Sequence, residues 1–168
     1  MQTTLTVKLK LTTNPAQFQA LRATQLAYRD ALNHVSVAAF AQGKSGSRKK
    51  LHKAFYAEVR QHYGLSSQMA CSVFRQVGAT YQGLWTKAKK NAEAVRKGYT
   101  KKRFRGLDQP PHYVSPTRSY VYGRDYSLCT GHEVSLLTRS GRIHVSYQGY
   151  SKHVAFLQEG ARLGGAKL

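Results

Sequence analysis

From residue 4 to residue 11 apolar and polar side chains alternate, with Leu5, Val7, Leu9 and Leu11 set against Thr4, Thr6, Lys8 and Lys10. A repeat of two predicts a strand with one buried face, here with lysines on the other. Asn14-Pro15 follows, an N-cap residue ahead of the residue best tolerated at the first helical position. Phe18, Leu21, Gln25, Tyr28, Leu32, Val35 and Ala39 then recur at spacings of three and four, which predicts a long amphipathic helix ending near Gly43.

After the polar loop from Gly43 to Ser47, Ser47 is placed to cap a second helix whose apolar stripe is Leu51, Phe55 and Val59 and whose stop is Gly64. Ser66 caps a third helix, with Met69, Val73, Val77, Tyr81, Leu84 and Ala88 facing the core, running to about Gly98. Inside a helix Gly78 and Gly83 each cost about 1 kcal/mol relative to alanine, so both are expected to pack closely on a neighbour. Pro110, Pro111 and Pro116 predict an extended connector. Beyond it Tyr120-Val121-Tyr122, Tyr126-Ser127-Leu128, Glu133 to Leu137 and Arg142 to Tyr147 read as short strands, with a hairpin turn at Ser140-Gly141.

A first strand cannot stand alone, so it must pair with the strands that follow the helices. The expected fold is α+β: an antiparallel barrel from residues 1–12 and about 112–168, a helical lobe over 13–98 inserted into it, and a basic, proline-containing linker over 99–111.

Charge changes this picture from a fold to a partner. The 168-residue chain has 27 Lys and Arg against seven Asp and Glu, a net charge of +20. A compact chain so charged repels itself unless a polyanion neutralises it, which points to nucleic acid. Nine of the cations fall between Lys87 and Arg105 beside a single carboxylate, Glu93. Tyr99 and Phe104 are interleaved with them, and His112, Tyr113, Arg118, Tyr120 and Tyr122 follow. Cations that meet phosphates, mixed with rings that stack on unpaired bases, are what RNA recognition requires.

The same residues argue against other classes. No run approaches the length of a spanning segment and the start lacks the order of a signal peptide, so a cytoplasmic location is expected. Cys71 and Cys129 read as free thiols. Two-metal phosphodiester cleavage needs converging carboxylates, and Asp108, Asp125 and Glu133 are separated by turns and prolines. Cys129 and His132 have the spacing of only half a zinc site, with His112, His144 or His153 to complete it. There is no phosphate-cradling glycine loop.

Three stretches taken in order, TLTVKLKLTTNPAQFQALRATQLAYRDALNHV, LSSQMACSVFRQVGATYQ and RSGRIHVSYQGYSKHVAFLQEGARLGGAKL, resemble the N-terminal region of the TnpB family. That family comprises transposon-encoded RNA-guided DNA nucleases related to type V CRISPR effectors, and the resemblance covers the whole chain. It implies an oligonucleotide-binding-like wedge barrel carrying an inserted three-helix recognition lobe. In the family a RuvC-like nuclease domain and a four-cysteine zinc motif follow, so Mg and Zn are expected only in that C-terminal region, with no cofactor here. The expectation is a fragment or shortened gene product that binds guide RNA and a short target-adjacent DNA motif without cleaving.

By the same resemblance Ser67 and Cys71, one turn apart at the start of the third helix, face the double-stranded DNA motif; the family often has Lys or Gln there. Gln68, Arg75, Lys49 and His52 are placed to assist. The RNA-binding candidates are Lys8, Lys10, Lys87, Lys90, Lys97, Lys101, Lys102, Arg103, Phe104, Arg105, Arg118 and Tyr120. The alternative is a stand-alone basic RNA-binding protein of ribosomal or chaperone type. An open barrel edge would also offer a route to self-association.

Overall fold

Local signals set the helix ends. The Asn14 side-chain oxygen accepts the Gln17 amide at 2.8 Å while the Gln17 side chain accepts the Asn14 amide at 3.0 Å, a reciprocal capping box ahead of Pro15. Ser47 accepts from the Lys50 amide and Ser66 from the Met69 amide. Gly64, at φ 61, closes the second helix in the left-handed conformation that glycine adopts without strain.

The computed structural model describes residues 4–115, 117–158 and 162–168; Pro116 of the expected connector and Glu159 lie outside the described residues. The elements are β1 (Leu9–Thr12), α1 (Pro15–Ala41), α2 (Arg48–Tyr63), α3 (Ser67–Arg96), β2 (Ser119–Tyr120), β3 (Tyr126–Cys129), β4 (Glu133–Thr138), β5 (Gly141–Gly149), α4 (Ser151–Gln158) and β6 (Ala166–Lys167). They divide into two compact units, residues 1–24 with 117–168 and residues 25–116.

In the first unit β1 pairs antiparallel with β5, Leu9 opposite Gly149 and Leu11 opposite Tyr147, so the first strand does find its partner beyond the helices. The sheet order is β1-β5-β4-β3, and β2 pairs separately with β6. Leu21 of α1, Tyr126, Val134, Leu136, Val145, Tyr147 and Val154 form its apolar core. The Thr24 hydroxyl accepts the Arg139 amide at 3.0 Å, so the start of α1 is joined to this unit through Thr24 as well as Leu21.

The fold class is α+β, but the sheet is open where the chain was expected to close a barrel. β1 and β3 are its outer strands, with no pairing between them. The first strand is shorter than the alternation from residue 4 suggests, since it is hydrogen-bonded only where β5 runs opposite. Of Tyr120 to Tyr122 only Tyr120 lies in a strand, the two-residue β2, and Tyr122 makes an isolated bridge to Tyr126. α4 occupies a stretch that sequence reading left without a helix.

In the second unit the stripes of the helices meet. Tyr28, Leu32, Val35, Leu51, Val59, Met69, Val73, Phe74, Val77 and Tyr81 are almost fully enclosed. The Gly78 position approaches the α2 entry so closely that a Cβ there would lie 3.0 Å from the Gly46 carbonyl oxygen. Gly83, by contrast, has nothing within 4 Å of such a Cβ, so only one of the two glycines is there for packing. Phe18, expected in the stripe of α1, is 55% exposed.

Three helix side chains, Asn33, Ser36 and Thr80, tie the connector to this unit. Asn33 donates to the Tyr113 carbonyl at 3.1 Å and accepts the Tyr113 amide at 2.7 Å. Ser36 donates to the Pro111 carbonyl at 2.7 Å, and the Tyr113 hydroxyl donates to Thr80 at 2.8 Å. No helix among the described residues is long and apolar enough to cross a membrane.

Candidate nucleic-acid interface

α3 ends in a Schellman turn. Gly98, at φ 77, donates to the Val95 carbonyl at 3.0 Å and Tyr99 donates to the Ala94 carbonyl at 2.9 Å. This reverses the chain, and the basic loop 99–105 runs back along the last turns of α3. Asn91 holds it there, donating to the Lys102 carbonyl at 3.0 Å and accepting the Phe104 amide at 2.8 Å. The Phe104 ring lies over Gly106, where a Cβ would overlap it. Between loop and helix opens a groove of about 410 Å³ with an apolar lining of Ala88, Ala92, Val95 and Phe104, and with Lys101 and Arg103 also lining it.

The candidate RNA contacts therefore fall into distinct settings. Lys87, Lys90, Lys97, Lys101, Lys102, Arg103 and Arg105 are exposed around this helix end and loop. Two of them have carboxylate partners: Lys97 with Glu93 at 2.7 Å, and Arg103 with Asp108. Phe104 is half-buried and Tyr99 is 79% exposed. Lys8 and Lys10 belong to the other unit, exposed beside and on the outer strand β1, where lysines also discourage strand-to-strand aggregation.

Arg118 and Tyr120 must be reassigned. Arg118 is fully buried, with its guanidinium 2.9 Å from Asp125, donating to the Leu137 carbonyl at 3.0 Å and stacked 3.9 Å from the Tyr120 ring. Tyr120 is 1% exposed, and burial raises its hydroxyl pKa, partly offset by the neighbouring Arg118. Sequence shows that the chain has an arginine beside aromatics but not which side of the sheet it occupies. Neither residue is accessible to RNA in this fold.

The candidate DNA contacts lie on the packed pair α2 and α3. Ser67, Cys71 and Arg75 follow one another at intervals of four along α3, Ser67 and Arg75 exposed and Cys71 half-buried. Gln68 is half-buried, and its backbone carbonyl accepts the Ser72 hydroxyl. His52 of α2 sets its ring edge-on to Phe74, with centroids 5.6 Å apart, which brings it beside the neighbour of Arg75. Lys49 is exposed one turn before His52.

Sequence reading missed two features. His52 stacks on Tyr56 at 4.5 Å and Arg60 lies over the same ring at 5.7 Å, a row of planar groups along α2 that the i, i+4 spacing would have disclosed. The Asn91 clasp had no signal at all, because an asparagine's partners are set by the returning loop. Cys129 lies 3.8 Å from His144, and no three His, Cys, Asp or Glu side chains converge among the described residues.

The chain matches no family model, no curated protein and no solved structure.

Proposed function

We propose that this chain binds nucleic acid as the non-catalytic part of a transposon-encoded, RNA-guided DNA nuclease of the TnpB kind. In this reading residues 25–116 are the recognition lobe, meeting structured guide RNA through the helix end and loop at 87–105 and duplex DNA through the start of α3. The open antiparallel sheet with its appended strands is the wedge. The chain itself catalyses no step and works in the cytoplasm.

One observation carries the reading. Within and just after α3, Lys87, Lys89, Lys90, Arg96, Lys101, Lys102 and Arg105 are exposed and form no ion pair among the described residues. Cations concentrated without carboxylates repel one another in solution and are relieved by a phosphate backbone, whose condensed counterions are released on binding.

The test is to purify the chain without nuclease treatment, sequence what stays bound, and measure affinity across a salt series. One structured RNA from beside a transposon end, released by salt with a log–log slope of about −0.7 to −0.9 per phosphate, is expected. A random RNA mixture would replace the guide reading with that of a general basic RNA binder. A flat salt response would remove the nucleic-acid reading altogether.

A further inference from the structure

We propose that the groove between the end of α3 and loop 99–105 takes one unpaired base of a single-stranded RNA, with the Phe104 ring as its stacking surface and Lys101 and Arg103 on the adjoining phosphates. The inference rests on the nucleic-acid reading above and names the ligand element that one site would hold.

The lining selects the ligand. Ala88, Ala92 and Val95 present small apolar side chains, and Phe104 a flat ring, so the groove suits a flat, weakly polar body. At about 410 Å³ it is within the range of roughly 300–1,000 Å³ typical of small-molecule sites. Lys101, which forms no ion pair among the described residues, and Arg103, whose only carboxylate partner there is the exposed Asp108, favour a body that carries negative charge alongside it. A nucleotide combines the two, and only an unpaired one offers its ring, because the faces of bases in a duplex are already stacked.

The groove is also built before the ligand arrives. The turn at Gly98 and the two hydrogen bonds to Asn91 hold the loop, so little ordering remains to oppose binding. Gly106 leaves the space that the tip of the Phe104 ring occupies, where any side chain would displace it. Asn91 uses its side-chain oxygen and amide on the loop backbone, so recognition by stacking is expected to be tolerant of base identity. Tyr99, 79% exposed in the same loop, is available to a neighbouring base.

The experiment uses the full chain and a short single-stranded oligoadenylate carrying one 2-aminopurine. Wild type should bind and quench the fluorophore by stacking. Ala92→Trp fills the groove without altering charge and should weaken binding about tenfold, the scale of one lost base stack, with the salt slope unchanged. Phe104→Leu, which keeps an apolar side chain, should abolish most of the quenching. Wild-type affinity and quenching in both variants would overturn the groove proposal while leaving nucleic-acid binding intact. Absence of any binding by wild type would instead overturn the parent reading, and the proposal with it.

Discussion

The backbone amide of Phe104 donates to the side-chain oxygen of Asn91, 13 residues earlier, at 2.8 Å, and the same carboxamide returns a bond to the Lys102 carbonyl. A single side chain thereby substitutes for a strand partner and holds a loop dense in positive charge against its own helix. Removing it should loosen the loop without unfolding the unit. Asn91→Ala is expected to cost about 1–2 kcal/mol in chemical denaturation, the worth of two hydrogen bonds of which the one from Phe104 is partly buried, and to speed trypsin cleavage after Lys101 and Lys102. Cleavage at the wild-type rate would mean that the loop keeps its place without the clasp.

Arg118 and Asp125 form an ion pair from which water is excluded on both sides. Asp125 also accepts the Val121 amide at 3.0 Å, so it anchors a turn as well as neutralising the arginine. Removing only one partner strands a charge. Asp125→Ala should therefore cost about 3–5 kcal/mol, whereas Arg118→Met combined with Asp125→Leu should recover a good part of the loss. Denaturant melts of the single and double variants decide it, and a double variant as unstable as the single would refute the stranded-charge account.

Burial raises the pKa values of Tyr81, Tyr113 and Tyr120 above the ordinary 10.0. The Ser36 and Thr80 side chains oppose the shift for Tyr81 and Tyr113 respectively without cancelling it. Above pH 10 the unfolded chain gives up these protons while the folded chain still holds them, so unfolding gains free energy from proton release. Their stabilising contribution is thus complete below the unfolded value of 10.0 and is lost as pH rises through the higher folded values. Melting temperature should fall above that pH, and Tyr81→Phe should flatten the fall while costing about 1 kcal/mol at neutral pH through the lost bond to Ser36. Ultraviolet titration of tyrosinate, followed beside the melts, checks both halves.

The two glycines inside α3 should respond oppositely to alanine. Gly83→Ala meets open space and restricts the unfolded chain, so it should raise stability by about 0.5–1 kcal/mol. Gly78→Ala has the same helix preference in its favour but drives a methyl group to 3.0 Å from the Gly46 carbonyl oxygen, and it should lower the melting temperature. Equal effects of the two substitutions would show that the Gly46 contact relaxes freely.

Much of the helical unit was legible because its signals are local. Asn14 with Pro15, Ser47, Ser66 and Gly64 act on backbone groups a few residues away, so residue type and spacing are enough to place the start of α1, both ends of α2 and the start of α3. α4 escaped because eight residues make barely two turns, too few for a period to stand out. The basic segment at 87–105 was legible as charge, but its groove was not, since that depends on the loop's return path.

Composition and pattern by themselves determined the succession of one strand, three helices and later strands, the apolar faces of those helices and the excess of cations that any partner of this chain must answer. Tertiary structure alone decided that the sheet stays open, that Arg118 and Tyr120 belong to the interior, and that Asn91 shapes a groove. Each of those outcomes depends on residues far apart in the chain meeting in space. Periodicity records which face of an element is apolar, while the partner of that face is chosen by packing.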